Sequence, residues 1–308
     1  MPSPAQEPLT RPVQFFTGKG GVGKSTVLGA LAVAAARAGK RPLIVELGSH
    51  TASSRVLHGP AVGYEPVEVA SGVHATRVLF EPALVDYITS RLKLRPIALL
   101  VARNDSLRRL FMAAPGVDEI VTLHRVAQLA EDGRWDPLLV DLESTGHALM
   151  FFDLPSVLEV FLKDGPLRKV LDSATELVRD ERRCAIHVVT APEPLAVNET
   201  IRLYRGLLER EDLHLGCLFI NRIPRAWLDD DEQCLVKAEL AGPSAGQPWA
   251  SDLALADYLT WRRQTAEKCL RGLRRDIDLP TMTFEAHGDE GSTIIERLSR
   301  AFEEASPW

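Results

Sequence analysis

The chain contains 308 residues, of which 45% are hydrophobic and 25% are charged, and its formal net charge at pH 7 is −6. This length and composition suffice for one large α/β domain with a proper core, or for two small domains. The mild acidity, without a run of basic residues, argues against nucleic acid or an anionic membrane surface as the partner. The four cysteines lack C-x-x-C spacing, which argues against a zinc site or a disulfide framework and favours a reducing cytoplasm.

The residue composition of the chain changes at residue 13. Residues 1–12 are polar and proline-rich, so we expect a loose tail and not a signal peptide. No apolar run approaches the ~18–20 residues that span a bilayer, so stable membrane insertion is not expected. Val13–Thr17 is rich in residues that favour strands, and Ser25–Gly39 predicts a helix that ends at its glycine.

The turn between this strand and this helix reads GKGGVGKST and fits the pattern G-x-x-x-x-G-K-[ST] in the structural context that the pattern requires. Backbone N–H groups of the turn and the positive end of the helix dipole would face phosphate oxygens. Lys24 is expected to reach the β- and γ-phosphates, and the Ser25 hydroxyl to bind Mg²⁺. The turn therefore predicts a nucleoside triphosphate site. The residues expected to contact the nucleotide are Gly18, Gly20, Gly21, Val22, Gly23, Lys24, Ser25 and Thr26.

After the first helix, short apolar segments alternate with helical patterns, which predicts one doubly wound, mostly parallel sheet in an α/β domain over 13–308. Between Phe80 and Leu129 apolar residues recur only at helical spacing, so a helical subdomain is expected at about 80–132. The further predicted strands are 42–47, 67–70, 74–79, 135–141, 184–190, 215–220 and 280–285. The further predicted helices are 154–161, 167–179, 194–208, 229–240, 251–275 and 292–304.

Asp141 ends an apolar strand, which is the Walker B position, where an acid holds Mg²⁺ through water. The stretch that begins there reads DLESTGHALMFFDLP. Within it, Gly146 supplies the backbone freedom of a moving loop, and Thr145 offers a hydroxyl to water or phosphate. Alternatively, T-G-H only starts a helix with a capping threonine.

These segments resemble the ArsA/GET family, which comprises the arsenite-efflux and tail-anchored-protein-targeting ATPases. The stretch from Asp141 resembles the family's switch II motif, D-T-A-P-T-G-H-T-L-R-x-L-x-L-P. Lys19, directly after the first glycine, resembles the signature lysine of the deviant Walker A group, although it would also suit an ordinary surface. The resemblance implies a MinD/ArsA-like P-loop fold with an inserted helical subdomain, and a homodimer, or a heterodimer with a paralogous ATPase, closing over Mg·ATP. It also implies that Lys19 reaches the other subunit's nucleotide and that Thr145, Gly146 and His147 sense the γ-phosphate.

The resemblance extends further along the chain. Residues 115–119 (PGVDE) and 192–200 (PEPLAVNET) resemble two further family segments, which makes Glu193 a candidate for contacts across the dimer. Asn221 falls where the family has an adenine-reading asparagine, and its amide offers both a donor and an acceptor. Phe284 would form the apolar wall of the base pocket. Asparagine at a strand end and phenylalanine in a core strand are also common without such roles.

The chain departs from the family at switch I. Relatives have an aspartate there that orients or deprotonates the attacking water, whereas the corresponding residue here is Gly48, which can do no acid–base work. Glu46, His50 and Glu143 are the candidate replacements, although Glu46 would also suit a strand end and His50 a solvated loop. Hydrolysis would then be slow, use different residues or depend on a partner subunit. The family's zinc-binding C-x-x-C is absent, as is a tight cysteine set for arsenite.

The sequence thus predicts a dimeric cytoplasmic ATPase that uses Mg²⁺ and its ATP or ADP state to switch a helical region for an unidentified protein client. The alternative is a hydrolysis-deficient nucleotide-binding subunit or scaffold that works with a catalytic paralogue. A small-molecule kinase would share the glycine-rich turn, but it needs an acceptor site and a lid arginine motif. Partitioning to a membrane surface is disfavoured because neither terminus carries a basic amphipathic helix.

Overall fold

The computed structural model describes residues 7–47, 52–92, 96, 104, 117–142, 148–153, 166–210, 212–242, 247–286 and 292–305. The strands are β1 (Val13–Thr17), β2 (Leu43–Glu46), β3 (Val67–Ala70), β4 (Val73–Arg77), β5 (Leu138–Asp141), β6 (Cys184–Thr190), β7 (Leu215–Ile223) and β8 (Thr281–Glu285). The helices are α1 (Lys24–Arg37), α2 (Ser53–Val56), α3 (Phe80–Leu92), α4 (Val117–Glu131), α5 (Pro166–Arg179), α6 (Pro194–Leu208), α7 (Asp230–Ala241), α8 (Ala250–Asp276) and α9 (Ser292–Ala305).

The strands form one sheet in the order β3-β4-β2-β5-β1-β6-β7-β8. Every neighbouring pair is parallel except β3 and β4, which are antiparallel. The predicted α/β class with a mostly parallel sheet is therefore confirmed. Since β1 lies between β5 and β6, the chain crosses to both sides of β1, and ligands of such sheets bind at this switch point beyond the carboxyl ends of the strands.

Helices cover both faces of the sheet, which is why β1 is apolar on both sides. Phe15 and Phe16 are fully buried and belong to different core clusters, because successive side chains of a strand point to opposite faces. The Phe15 cluster includes buried residues of α3, α4, α5, α6 and the end of α8. The Phe16 cluster includes buried residues of α1 and α9. β1 is thus held between two hydrophobic layers, and so is the start of the loop that follows it.

The helical block predicted after Phe80 begins with α3 and ends with α4. Apolar residues on both helices, such as Leu84 and Val121, are buried in the core, so these helices cover the sheet. Most residues between the two helices lie outside the described ranges, as does the helix predicted over 154–161. Within the ranges given above, no helix combines the length and the apolar character needed to cross a membrane.

The N-terminal segment differs from the predicted loose tail in its last part. Residues Glu7–Thr10 form a 3₁₀ turn, and the Leu9 side chain is fully buried in the core on the Phe16 side. The buried Gln14 amide donates hydrogen bonds to the carbonyl oxygens of Leu9 and Arg11, at 2.8 and 3.0 Å. One apolar side chain and two hydrogen bonds therefore hold a segment that sequence periodicity does not mark.

Candidate nucleotide site

The loop between β1 and α1, residues 18–23, is here called the glycine loop, and two of its glycines are required by close contacts. Gly18 has a φ of 149°, and a Cβ there would lie 2.0 Å from the carbonyl oxygen of Val189. Gly23 has a φ of 94°, and a Cβ there would lie 2.3 Å from Nδ2 of Asn221. Any larger residue at either position would push the loop away from the ends of β6 and β7.

Lys24 and Ser25 begin α1, so both lie at the N-terminus of this helix, where its dipole is positive and favours an anion. The Lys24 ammonium donates to the carbonyl oxygen of Gly18 at 3.1 Å, so it lies across the glycine loop. Thr26, the next residue, lines a cavity of about 200 Å³ beside Asn221. The predicted contact residues of the loop and the helix start are therefore grouped at one sheet edge.

Ser25 and Asp141, the two predicted Mg²⁺ ligands, meet directly. The Ser25 hydroxyl donates to Oδ2 of Asp141 at 2.6 Å. A hydroxyl and a carboxylate are hard oxygen ligands of the kind that Mg²⁺ prefers, so the pair fits the ion. The described residues contain no group of three or more His, Cys, Asp or Glu side chains that could hold a metal.

Burial raises the pKa of Asp141, and the nearby charge of Glu46 raises it further. The Ser25 hydrogen bond and the Lys24 charge oppose this rise, but the net direction is upward. Glu46 is close because it is the register partner of Asp141 on the neighbouring strand β2. A divalent cation beside these two carboxylates would relieve their repulsion and the cost of their burial.

The Glu46 side chain contacts backbone N–H groups and forms no ion pair with any described residue. Its side chain is only 2% exposed, and Oε1 accepts hydrogen bonds from the backbone N–H groups of Ala52 and Ser53, at 2.7 and 2.5 Å. Its Oε2 atom has no hydrogen-bond partner among the described residues. The structure thus places Glu46 as a cap on the start of α2 and leaves one carboxylate oxygen for another contact.

Lys19 is paired within its own chain. Its ammonium lies 2.8 Å from Oε1 of Glu199 on α6, and both side chains are about one-third exposed, at 27% and 32%. The sequence analysis identifies the segment 192–200, which contains Glu199, as similar to a family segment, but it assigns no role to Glu199 itself. Glu193, the candidate for cross-dimer contacts, is exposed at the start of α6 and lines a cavity of about 430 Å³.

Asn221 lies at the glycine loop, as the resemblance implies, but its amide is already engaged. Nδ2 donates to the carbonyl oxygen of Val22 at 3.0 Å, and Oδ1 accepts the backbone N–H of Arg222 at 2.9 Å. One N–H and one lone pair remain for a base. Asn221 therefore has a structural contact with the loop that its motif position did not predict.

Phe284 is not among the residues that line the cavity beside Asn221, so its role as the wall of a base pocket stays a prediction. Its ring is 3% exposed and packs among core aromatics, 6.2 Å from the Phe219 ring and 5.4 Å from the Phe302 ring. The next residues, Glu285 and Ala286, line the cavity instead. Because side chains alternate along a strand, a shift of one residue decides which one faces the core.

Several predicted residues lie outside the described ranges, and their roles stay predictions. They are Gly48, His50, Glu143, Thr145, Gly146 and His147.

The family model for anion-transporting ATPases, ArsA_ATPase, matches residues 11–165 of the chain. The chain is 26% identical to the ATPase BagA of Mycobacterium tuberculosis over 71% of its own length and 67% of that protein. It is 30% identical to a Halobacterium salinarum protein whose descriptive name is that of an arsenical pump-driving ATPase, over 67% of its own length and 35% of that protein. It is 23% identical to the ATPase GET3 of Podospora anserina over 73% of its own length and 77% of that protein.

Proposed function

This chain belongs to the family of anion-transporting, ArsA-type ATPases, and from that premise we propose that it binds and hydrolyses Mg·ATP as a dimer. The observation that carries the proposal is the contact between Ser25 and Asp141, at 2.6 Å, beside the glycine loop. It brings a hydroxyl from the start of α1 and a carboxylate from the end of β5 to one point. Both belong to separate sequence motifs that predict the same Mg²⁺ site.

In this proposal each part of the loop has a role. The backbone N–H groups of the glycine loop and of the first turn of α1 bind the phosphate oxygens. Lys24 exchanges the carbonyl oxygen of Gly18 for the β- and γ-phosphates. Ser25 and Asp141 would hold Mg²⁺, and the ion when bound would supply positive charge to the phosphates.

The dimer part of the proposal depends on Lys19. In the single chain its ammonium pairs with Glu199, so delivery of Lys19 to a partner's nucleotide exchanges a carboxylate for a phosphate. The exchange keeps the lysine in contact with an anion in both states. Since the pair is partly exposed, water screens it and its loss costs little.

Of the three candidate catalytic residues, Glu46 is the one that lies among the described residues. Glu46 faces Asp141 across β2 and β5, but its Oε1 already binds two backbone N–H groups. We therefore propose that Glu46 caps the start of α2, and that His50 and Glu143 are the better candidates for handling the attacking water.

A second candidate function is a nucleotide-binding subunit that does not hydrolyse ATP alone and works with a catalytic paralogue. Gly48 favours it because glycine cannot replace the switch I aspartate. In either case, client binding is proposed for the helical region at about 80–132, of which α3 and α4 cover the sheet core. A cytoplasmic location is part of the proposal, since all four cysteines are free thiols.

Phosphate release from Mg·ATP tests the proposal, with the wild-type chain run beside Lys24→Ala and Lys19→Ala. Turnover in the wild type that both substitutions abolish supports a self-sufficient dimeric ATPase. ATP binding without turnover supports the second candidate. A chain that neither binds nor hydrolyses ATP contradicts both.

A further inference from the structure

We propose that Arg222 is a positioning residue of the nucleotide site, which holds the backbone of the glycine loop in its phosphate-binding shape. The inference rests on the proposed function, because it concerns how the same site is kept ready for phosphates. It begins with the backbone of Arg222, whose φ of 58° lies in the left-handed region. Residues other than glycine rarely adopt that conformation, and they do so where surrounding contacts enforce it.

The local cause is an irregularity in the pairing of β7 with β8. Ile220 pairs with Thr283 and Ile223 pairs with Glu285, so two residues of β7 lie opposite one residue of β8. Asn221 and Arg222 are the two residues of this bulge. Bulges redirect side chains at the rims of sheets and are frequent beside functional sites.

The bulge lets two successive side chains reach the same loop. In a regular strand, neighbouring side chains point to opposite faces of the sheet. Here Nδ2 of Asn221 donates to the carbonyl oxygen of Val22 at 3.0 Å, and Nη1 of Arg222 donates to that of Gly21 at 2.7 Å. Two successive carbonyl oxygens of the glycine loop are thus bound by two successive residues of β7.

These contacts have a direct consequence for phosphate binding. A carbonyl group that points toward β7 cannot point into the phosphate site, where its negative end would repel an anion. Fixing the carbonyl groups of Gly21 and Val22 also fixes the peptide N–H groups on the opposite sides of the same planar units. Arg222 therefore acts on the phosphates through the loop, and it adds a positive charge at the cavities of about 200 and 430 Å³ that it lines.

The test measures the affinity for two probes, ATP and inorganic tripolyphosphate, by calorimetry at fixed Mg²⁺. Tripolyphosphate has no base or ribose, so it reports on the phosphate site alone. The main variant is Arg222→Gly, because glycine keeps the left-handed backbone without strain and loses only the side chain. Arg222→Lys is the conservative variant, since lysine keeps a charged donor that can reach the carbonyl oxygen of Gly21.

Arg262→Ala is the matched control for charge. Arg262 lines the same two cavities, and its guanidinium carbon lies 5.9 Å from the centre of the Tyr258 ring. If Arg222 acted only by its charge, both substitutions would weaken tripolyphosphate binding equally. Circular dichroism and thermal unfolding of each variant show whether it is folded.

We expect Arg222→Gly to weaken binding of ATP and of tripolyphosphate alike, each by about fivefold, as for the loss of one hydrogen bond. Arg222→Lys should recover most of the affinity, and Arg262→Ala should weaken tripolyphosphate binding less. Unchanged tripolyphosphate affinity in Arg222→Gly, or an equal loss in Arg262→Ala, would overturn the inference while leaving the proposed function standing. A wild-type chain that binds neither probe would overturn both.

Discussion

The hydroxyl of Ser25 and the carboxylate of Asp141 are joined by a hydrogen bond of 2.6 Å, although 116 residues separate them along the chain. The contact is possible because β5 lies next to β1 in the sheet, with Asp141 in register with Phe16. The end of one strand and the helix that follows its neighbour therefore meet at the switch point of the sheet. The proposed Mg²⁺ site thus depends on the order of the strands in the sheet.

Substitution of Asp141 by asparagine should remove most of the Mg²⁺ dependence of ATP binding, because it removes the one formal charge among the proposed ligands. Calorimetry of ATP binding with Mg²⁺ and with EDTA measures this. The variant should fold at least as stably as the wild type, since burial raises the pKa of Asp141 and makes its charge costly. Asp136→Asn, at an exposed carboxylate that pairs with Lys40, is the matched control. An unchanged Mg²⁺ dependence in Asp141→Asn would refute the metal assignment.

Disruption of the Lys19–Glu199 pair should affect turnover and leave ATP binding by the single chain nearly unchanged. Lys19→Ala is expected to lower turnover by about a hundredfold or more, because it removes a cation supplied to the partner's nucleotide. Glu199→Gln should free the lysine and increase the dimer fraction with a non-hydrolysable ATP analogue. Sedimentation velocity and phosphate release measure the two effects, with Glu209→Gln at the end of α6 as control. If the protein remained monomeric in every nucleotide state, the proposed role of Lys19 would be wrong.

Two substitutions of Glu46 separate a structural role from a catalytic one. Glu46→Ala removes the acceptor for the backbone N–H groups of Ala52 and Ser53 and should destabilise the fold by about 2 kcal/mol. Glu46→Gln keeps an acceptor oxygen, so it should retain both stability and turnover. Urea unfolding measures the stability of each variant, and phosphate release measures its turnover. If Glu46→Gln were stable but slower by about a hundredfold, Glu46 would be the general base after all.

His187 should make stability depend on pH. It is fully buried on β6 between the rings of Phe16 and Phe219, and burial lowers its pKa to about 3. Its Nδ1 accepts the backbone N–H of Cys217 at 2.9 Å, which requires the unprotonated nitrogen. As pH falls below about 6.5, the unfolded chain binds a proton that the folded chain does not, so the free energy of unfolding falls by about 1.4 kcal/mol per pH unit.

The test of the His187 prediction is urea unfolding at pH 7, 6 and 5, for the wild type and for His187→Gln. Glutamine offers an acceptor to Cys217 but does not titrate. The wild type should therefore lose stability faster on acidification than the variant. A constant difference between the two proteins over this pH range would show that His187 does not contribute to the pH dependence.

The sequence was most informative where strands are buried on both faces. The predicted strand 184–190 and helix 194–208 coincide with β6 and α6, because a mostly apolar run and a proline at the helix start are local signals. Local sequence signals likewise indicate the strand, loop and helix around Lys24. The prediction of the nucleotide site depended on this strand, loop and helix.

Other features depended on contacts between distant segments. The bulge at Asn221 and Arg222 exists because β7 meets both β8 and the glycine loop, and no local pattern marks it. Leu9 belongs to no periodic pattern of apolar residues, yet its side chain is fully buried in the core. Glu46 could not be matched to Ala52 and Ser53 from sequence, since no local pattern marks a hydrogen bond from a side chain to these backbone N–H groups.

Calorimetric titration of ATP into the wild-type chain and into Lys24→Ala, with Mg²⁺ present, tests whether the glycine loop and Lys24 bind the nucleotide. Lys40→Ala is the matched control, since it removes the same charge just beyond the other end of α1. We expect the wild type and Lys40→Ala to bind ATP, and Lys24→Ala to bind it at least about tenfold more weakly. Equal affinity of Lys24→Ala and the wild type would contradict the assignment of the glycine loop as the nucleotide site.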